Sequence, residues 1–480
     1  VTSTVPSNLE PPCAGFTRLV TTVFLAWKQA RVDFLVLRNY ELLPHATTNG
    51  IDVLVAREQV ELAEQTLVSA AREAGYRLHN RAEFATRSLY LADIESGRQI
   101  HFDLFVDLRW HSIEYLSCRD FLARKVERGP FWIPHPAHEA GTNLLASFIY
   151  SGRIKDKYKP SVATALRAHP GVARDLLAAS YGSGSARQLV ERAIKEEWSA
   201  IESQIGKLRT ILLLRQFTLR PWQSLSTLAK DVFRWAKRFF RPPGLMVVLL
   251  GPDGCGKSTI ARAVSDGLGN TFDPTKSTHY HWKPQVFPRD ARQTQSIVTD
   301  PHGRPPRSRA LSMVFFGFHW FEFCLGSLLR IRPALFRGGL VLIERYYYDF
   351  FVDRTRFRLQ LPEFVVQCGY GFVRKPDLIL LLDAPAETLR ARKQEVSLQE
   401  TLRQREAYRQ LAARLPNGVV IDAAQPPDKV AADAVKAILN QMVVRARRRR
   451  HCHSQDPPCR TSGGREASQP LPSRSGRRRG

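Results

Sequence analysis

Short apolar runs and stripes of helical period alternate along this chain. Phe34–Leu37, Ile51–Val55 and Gln99–Leu108 have strand patterns, and Glu58–Glu73 between them has helical periodicity. Residues 1–115 are therefore expected to form a small α/β domain. From 116 to 215 the pattern is mostly helical, with Ala- and Leu-rich runs broken at Gly-Pro and Pro pairs. Residues 216–243 read as a connector. Within it Leu225, Leu228, Val232, Trp235 and Phe239 recur at helical spacing, with Lys230, Arg234, Lys237 and Arg238 around the rest. A basic amphipathic helix suits a membrane surface or a place between two domains. The interdomain position is the preferred expectation.

Pro242-Pro243-Gly244 punctuates the next boundary. Beyond it lie apolar runs at Leu245–Leu250, Gly339–Ile343, Asp377–Leu382 and Gly418–Ile421. Such runs fit strands buried on both faces, as in a parallel sheet covered by helices. Residues 244–442 are thus a second α/β domain. Ala310–Leu329 is rich in Phe, Leu and Trp at nearly membrane-spanning length, yet it contains His319 and Glu322. It is read as a buried helix, and it also offers a surface for a homodimer. Residues 443–480 lack apolar periodicity and are expected to be disordered.

Charge changes the picture. The 480 residues carry a formal charge of +26, and the stretch from Met442 onward sets eleven Arg against Asp456 and Glu466. A basic body suits phosphate-rich ligands, nucleic acid or an anionic membrane. Charge alone does not choose among them. Nucleic-acid binding is a third reading that the charge and the Arg-rich tail motivate; binding lost with the tail would be non-specific electrostatics, and no specific nucleic-acid partner is expected. The seven scattered cysteines are no disulfide framework. With no basic segment leading an apolar run at the start, a reducing cytoplasm is the expected location. Cys452, His453 and Cys459 lack a second ligand pair and are not read as a metal site.

The strongest chemical signal is Gly251-Pro252-Asp253-Gly254-Cys255-Gly256-Lys257-Ser258-Thr259, between an apolar run and a helical pattern. Strand, G-x-x-x-x-G-K-S and helix form the context of a phosphate-binding loop. Glycines let backbone N–H groups approach phosphate, and the following helix points its positive end at the same anion. Lys257 is suited to the β- and γ-phosphates of ATP, and Ser258 to Mg²⁺. Phosphoryl transfer then needs acids and guanidinium groups at strand ends. Glu344 closes the second run and can reach the metal through water. Arg345 follows it and can grip an acceptor phosphate. The third run ends at Asp383. The helical segment after it carries Arg390, Arg392 and Lys393, then Arg403 and Arg405, a basic cluster where a lid would lie. The loop Asp422–Gln425 is the expected adenine contact.

These motifs, with Glu344-Arg345-Tyr346 and the Pro376–Asp383 run, resemble the thymidylate kinase family of P-loop nucleoside monophosphate kinases over residues 244–442. The resemblance implies a P-loop parallel-sheet fold with helices on both faces, ATP and Mg²⁺. It implies acceptor-phosphate binding by Arg345, lid roles for Arg390 and Arg392, and Asp253 near the acceptor sugar. The family usually has Asp where Glu344 stands. Its segment recognising the thymine nucleotide is replaced here by the aromatic helix. ATP use therefore carries over and thymidylate does not. The run Arg345–Asp353 looks like a divergent branch often joined to an N-terminal nucleotidyltransferase-like domain, associated with surface polysaccharide synthesis.

Phe34–Tyr40 and Asn49–Val55 are similar to that nucleotidyltransferase-like fold. Its chemistry needs two carboxylates spaced D-x-D plus a third from a later strand, holding two metal ions. Here Gly50 takes the first position and only Asp52 remains. Asp103 and Asp107 share one strand face about 13 Å apart, so at most one joins Asp52. A degenerate domain is expected. His101 and His111 read as ordinary histidines.

The reading is an ATP- and Mg²⁺-dependent phosphotransferase acting on a small nucleotide or sugar-type acceptor. Its rivals are a nucleotide-responsive binding module without transfer, and nucleotidyl transfer by the N-terminal domain.

Overall fold

The computed structural model describes residues 14–47, 50–83, 86–110, 113–219, 221–286, 305–394 and 396–454. Its first half is built on β1 (Phe34–Arg38), β2 (Ile51–Val55), β3 (Arg77–Glu83), β4 (Arg87–Ala92) and β5 (Gln99–Phe105). They form a mixed sheet in the order β1-β2-β5-β4-β3. Only the β2–β5 pairing is parallel; β1–β2, β4–β5 and β3–β4 are antiparallel. The helices Ala14–Gln29 and Val60–Glu73 cover one face, where Trp27, Phe34, Leu67 and Phe102 pack together.

Two hairpins follow, β6 (Leu108–Trp110) with β7 (Ile113–Leu116) and β8 (Val126–Arg128) with β9 (Phe131–Ile133). The expected strand Gln99–Leu108 is therefore interrupted after Phe105. The 116–215 region contains the β8–β9 hairpin as well as helices. Leu144, Phe148, Leu166, Leu177 and Leu189 of those helices close over Leu35, Leu54 and Leu116.

The second half carries β10 (Leu245–Leu250), β11 (Thr278–Tyr280), β12 (Leu340–Glu344), β13 (Leu378–Asp383) and β14 (Gly418–Asp422). Their order is β11-β12-β10-β13-β14, and every pairing is parallel. Successive side chains of a strand point to opposite faces. Leu245, Val247 and Leu249 accordingly pack with Ile260, Val264 and Ile438 of helices on one side. Met246, Val248 and Leu250 pack with Phe316, Phe323, Tyr346 and Tyr347 on the other. The α/β class with a parallel sheet is thus the observed architecture.

The aromatic segment forms the helix Arg309–Gly326, a π turn at Ser327–Ile331 and a short helix at Arg332–Phe336. By length and composition Arg309–Phe336 could cross a membrane. One face, with Ser312, Phe316, His319, Glu322 and Phe323, is buried on the sheet. Leu311, Val314, Phe318 and Phe321 on the other face are exposed.

Two expectations are corrected. The last helix runs from Pro427 to Ser454, past the boundary set at Met442. It persists because Val443 and Ala446 are buried and Arg445 donates to the Gly244 and Pro242 carbonyls, both at 3.0 Å. The rest of the expected disordered tail, with Cys459, lies outside the described residues. The connector does form a helix, Pro221–Phe240, that touches both halves, but its apolar stripe is largely left uncovered: Leu228, Val232, Trp235 and Phe239 are exposed. The side turned inward is the polar one, where Arg234, Lys237 and Arg238 line a cavity with Glu61, Glu64 and Glu83.

Candidate functional site

The loop after β10 packs against two neighbours, and its glycines are required by both. Gly251 has φ +141°, and a Cβ there would lie 2.5 Å from the Leu382 carbonyl at the tip of β13. Gly254 has φ +85°, and its Cβ would lie 2.6 Å from the Leu389 carbonyl in the helix Ala386–Arg392. These are conformations that side-chain-bearing residues rarely adopt. Pro252 and Cys255 complete the turn, with Cys255 N–H reaching the Pro252 carbonyl at 3.4 Å. The helix Lys257–Gly267 then starts at the loop's end, with Thr259 exposed in its first turn.

Lys257 is buried, and its Nζ donates to the carbonyls of Gly251 and Pro252, both at 2.8 Å. Ser258 Oγ donates to Glu344 Oε2 at 2.9 Å. Strand β12 positions that carboxylate beside the loop because β12 pairs with β10 in register, Leu249 opposite Glu344. Two histidines also reach Glu344: His279 Nε2 at 2.9 Å and His281 Nδ1 at 3.3 Å. Burial pushes the Glu344 carboxyl up, but hydrogen bonds from His279, His281 and Ser258 outweigh it and hold the group well below the usual range.

Arg345 and Tyr346 both have positive φ, +67° and +55°. Strain of this kind persists only where its surroundings over-determine it. Here the Arg345 N–H is bonded to the Leu249 carbonyl at 2.9 Å, and its guanidinium pairs with Asp253 and lies 3.6 Å from Asp349. Arg356 joins the same carboxylate, 2.7 Å from Asp253 Oδ2. Asp349 is fully buried; burial raises its pKa against the pull of Arg345, and Tyr408 donates to it at 2.9 Å. The arrangement is a carboxylate held between two guanidinium groups at the edge of the loop.

The expected lid splits. Arg390, Arg392 and Lys393 sit in or just after the helix whose Leu389 carbonyl abuts Gly254. Arg392 donates to the Ala423 carbonyl at 3.0 Å. Arg403 and Arg405 do not belong with them. Arg405 grips Asp383 with two bonds of 2.6 and 3.0 Å, and Arg403 holds Glu400 and the Val352 carbonyl. Arg405 thereby anchors the helix Leu398–Arg414 to the tip of β13, and Arg403 ties it to the short helix Asp349–Val352.

In the first sheet, Asp52 and Asp103 stand opposite each other on parallel β2 and β5. Asp107 is elsewhere, paired with Arg57 and, at 2.9 Å, with Arg109. Asp52 is ion-paired with Arg38. Burial raises the Asp52 pKa against that cation. A Cβ on Gly50 would lie 2.1 Å from the His101 ring, so a side chain there requires the imidazole to move. His101, read from sequence as ordinary, is the side chain that lies over Gly50. His111 lies outside the described residues.

Sequence reasoning did not find His279, His281 or Arg356. It also missed a buried cluster beneath them, where Lys283 pairs with Glu322 and His319 lies against Trp282. Among the described residues, no group of three or more His, Cys, Asp or Glu side chains is placed to hold a metal ion.

No family model matches the chain. No curated protein matches it either. Among solved structures, a thymidylate kinase from Ehrlichia chaffeensis is similar over 41% of this chain and 100% of its own, at 14% identity and a TM-score of 0.31.

Proposed function

We propose that the chain is an ATP- and Mg²⁺-dependent phosphotransferase whose acceptor is a small nucleotide or sugar-type compound. The observation that carries this reading is the Ser258–Glu344 hydrogen bond of 2.9 Å, made beside a strand–loop–helix turn with Gly251, Gly254 and Gly256 all at positive φ. Backbone in that form offers N–H groups to an anion.

Lys257 would exchange the Gly251 and Pro252 carbonyls for phosphate oxygens. Ser258 and Glu344 supply two hard oxygen donors, which suits Mg²⁺, an ion that keeps waters and binds through one or two protein oxygens plus substrate phosphates. When bound, the ion neutralises charge on the phosphates. Arg345 and Arg356 already hold one anion, the Asp253 carboxylate, and are the groups suited to an acceptor phosphate. Arg390 and Arg392 are the candidates for closing over the transferring group.

The first sheet, in this reading, binds or supports without transferring nucleotides. Arg38 on Asp52 and His101 over Gly50 favour that role, because a two-metal site needs carboxylates where these groups lie.

The test is ADP release by the full chain with ATP and Mg²⁺ across dTMP, other nucleoside monophosphates, sugars and sugar phosphates. Acceptor-dependent release, lost about 10²–10³-fold in Lys257→Ala, is the expected result. Stoichiometric ATP binding with no acceptor-dependent release would overturn transfer and favour a nucleotide-responsive binding module.

A further inference from the structure

The helix Pro221–Phe240 faces the wrong way for a soluble helix. A surface helix ordinarily turns its apolar stripe to the core. Here Trp222 is 81% exposed, Phe240 75%, and Phe233 and Trp235 69% each. Leu228, Val232 and Phe239 on the same side are also exposed. Arg234, Lys237 and Arg238 look inward instead, into a cavity that Glu61, Glu64 and Glu83 also line. These cations share a cavity wall with the three acids, and most of the apolar side is left exposed.

The patch extends beyond this helix. Trp235 meets the Phe336 ring at 6.1 Å, and the Arg332 guanidinium lies 3.9 Å from the centroid of Phe239 while donating to the Phe239 carbonyl. One turn before Arg332, Leu328 and Leu329 are exposed. Lys230 and Arg241 in and just after this helix, and Arg330 and Arg337 flanking Arg332–Phe336, are exposed as well. The helix's single acid, Asp231, is paired with Arg234.

We propose that this helix docks the protein on an anionic membrane surface, with its aromatic face in the interface and the surrounding cations against lipid headgroups. Charge complementarity selects this occupant. A second copy meeting the patch about a two-fold axis would set the same cations against each other. Anionic headgroups attract them, and the formal charge of +26 draws the whole chain to such a surface. Trp and Phe on one face with Lys and Arg on the other is the composition of a helix lying in the plane of the interface. At 20 residues the helix is about 30 Å long, enough to lie along such a surface.

The experiment is co-sedimentation of the full chain with phosphatidylcholine vesicles, with and without phosphatidylserine. Binding is expected only with phosphatidylserine and should weaken steeply as salt rises. The double variant Phe233→Ser/Phe240→Ser changes exposed side chains and is expected to melt like wild type while losing binding about tenfold or more. Lys230→Glu/Arg241→Glu is expected to weaken it too. In wild type, brominated acyl chains should quench Trp fluorescence, a readout that needs no variant. Failure of wild type to bind phosphatidylserine vesicles overturns the proposal, as does unaltered binding by the serine variant. Concentration-dependent dimers abolished by that variant, with no vesicle binding, would assign the patch to self-association instead.

Discussion

Ser258 and Glu344 meet at 2.9 Å although 86 positions separate them in the chain. One opens a helix and the other ends a strand, and the parallel register of β10 and β12 brings them together. If the pair holds Mg²⁺, Ser258→Ala and Glu344→Gln should each cut turnover about 10²-fold or more and raise the Mg²⁺ concentration needed for half-maximal rate. Steady-state ADP release at varied Mg²⁺ checks this. An unchanged Mg²⁺ requirement would remove both residues from the metal's shell.

Gly254→Ala should fold less stably by about 1–3 kcal/mol, from left-handed strain and the clash with the Leu389 carbonyl 2.6 Å away. Urea unfolding measures the loss. Activity should fall further than stability, because the clash displaces the helix that carries Arg390 and Arg392.

Burial lowers the His79 pKa from 6.5 to about 3. Between those values the unfolded chain holds a proton that the folded chain does not. Stability therefore falls as pH drops below about 6.5, by up to about 1.4 kcal/mol per pH unit, and levels off near 3. Comparing wild type with His79→Gln isolates this contribution: the stability difference should move toward the variant as pH falls from 7 to about 4.5. A difference that stays flat would mean the imidazole is not held neutral.

Restoring the D-x-D spacing should not restore chemistry. Gly50→Asp places a side chain into the His101 ring, so a lower melting temperature and no nucleotidyl transfer are expected. Transfer of a nucleotide by this variant, followed with a labelled nucleoside triphosphate, would reverse the reading of the first sheet.

Much of the second half was legible in the sequence because its signals are local. The runs that became β10, β12 and β13 are apolar up to any closing acid and buried almost throughout, as doubly covered strands must be, whereas β14, expected to be like them, lies at the sheet edge with Val420 exposed. The loop residues carry their spacing within nine positions. What escaped depends on distant packing. Strand β11 is only Thr278-His279-Tyr280, with no apolar run to mark it, so the two histidines on Glu344 gave no sign. Arg405 looked like its neighbours in the basic cluster, and only the placement of Leu398–Arg414 against β13 turned it to Asp383. Periodicity revealed the connector's two faces but not which one would turn outward.

The last helix belongs to neither half alone. It packs on the helix Lys257–Gly267 that follows the glycine loop and, on another side, on β3 of the first sheet. Nearby, Thr271 bonds to both His79 and Gln99, and Gln99 reaches the Gly267 carbonyl at 2.7 Å. A rigid beam shared in this way makes the two sheets report on each other. Occupation of the glycine loop should slow amide exchange in β3, far from any nucleotide, and cutting the chain after Met442 should silence that signal.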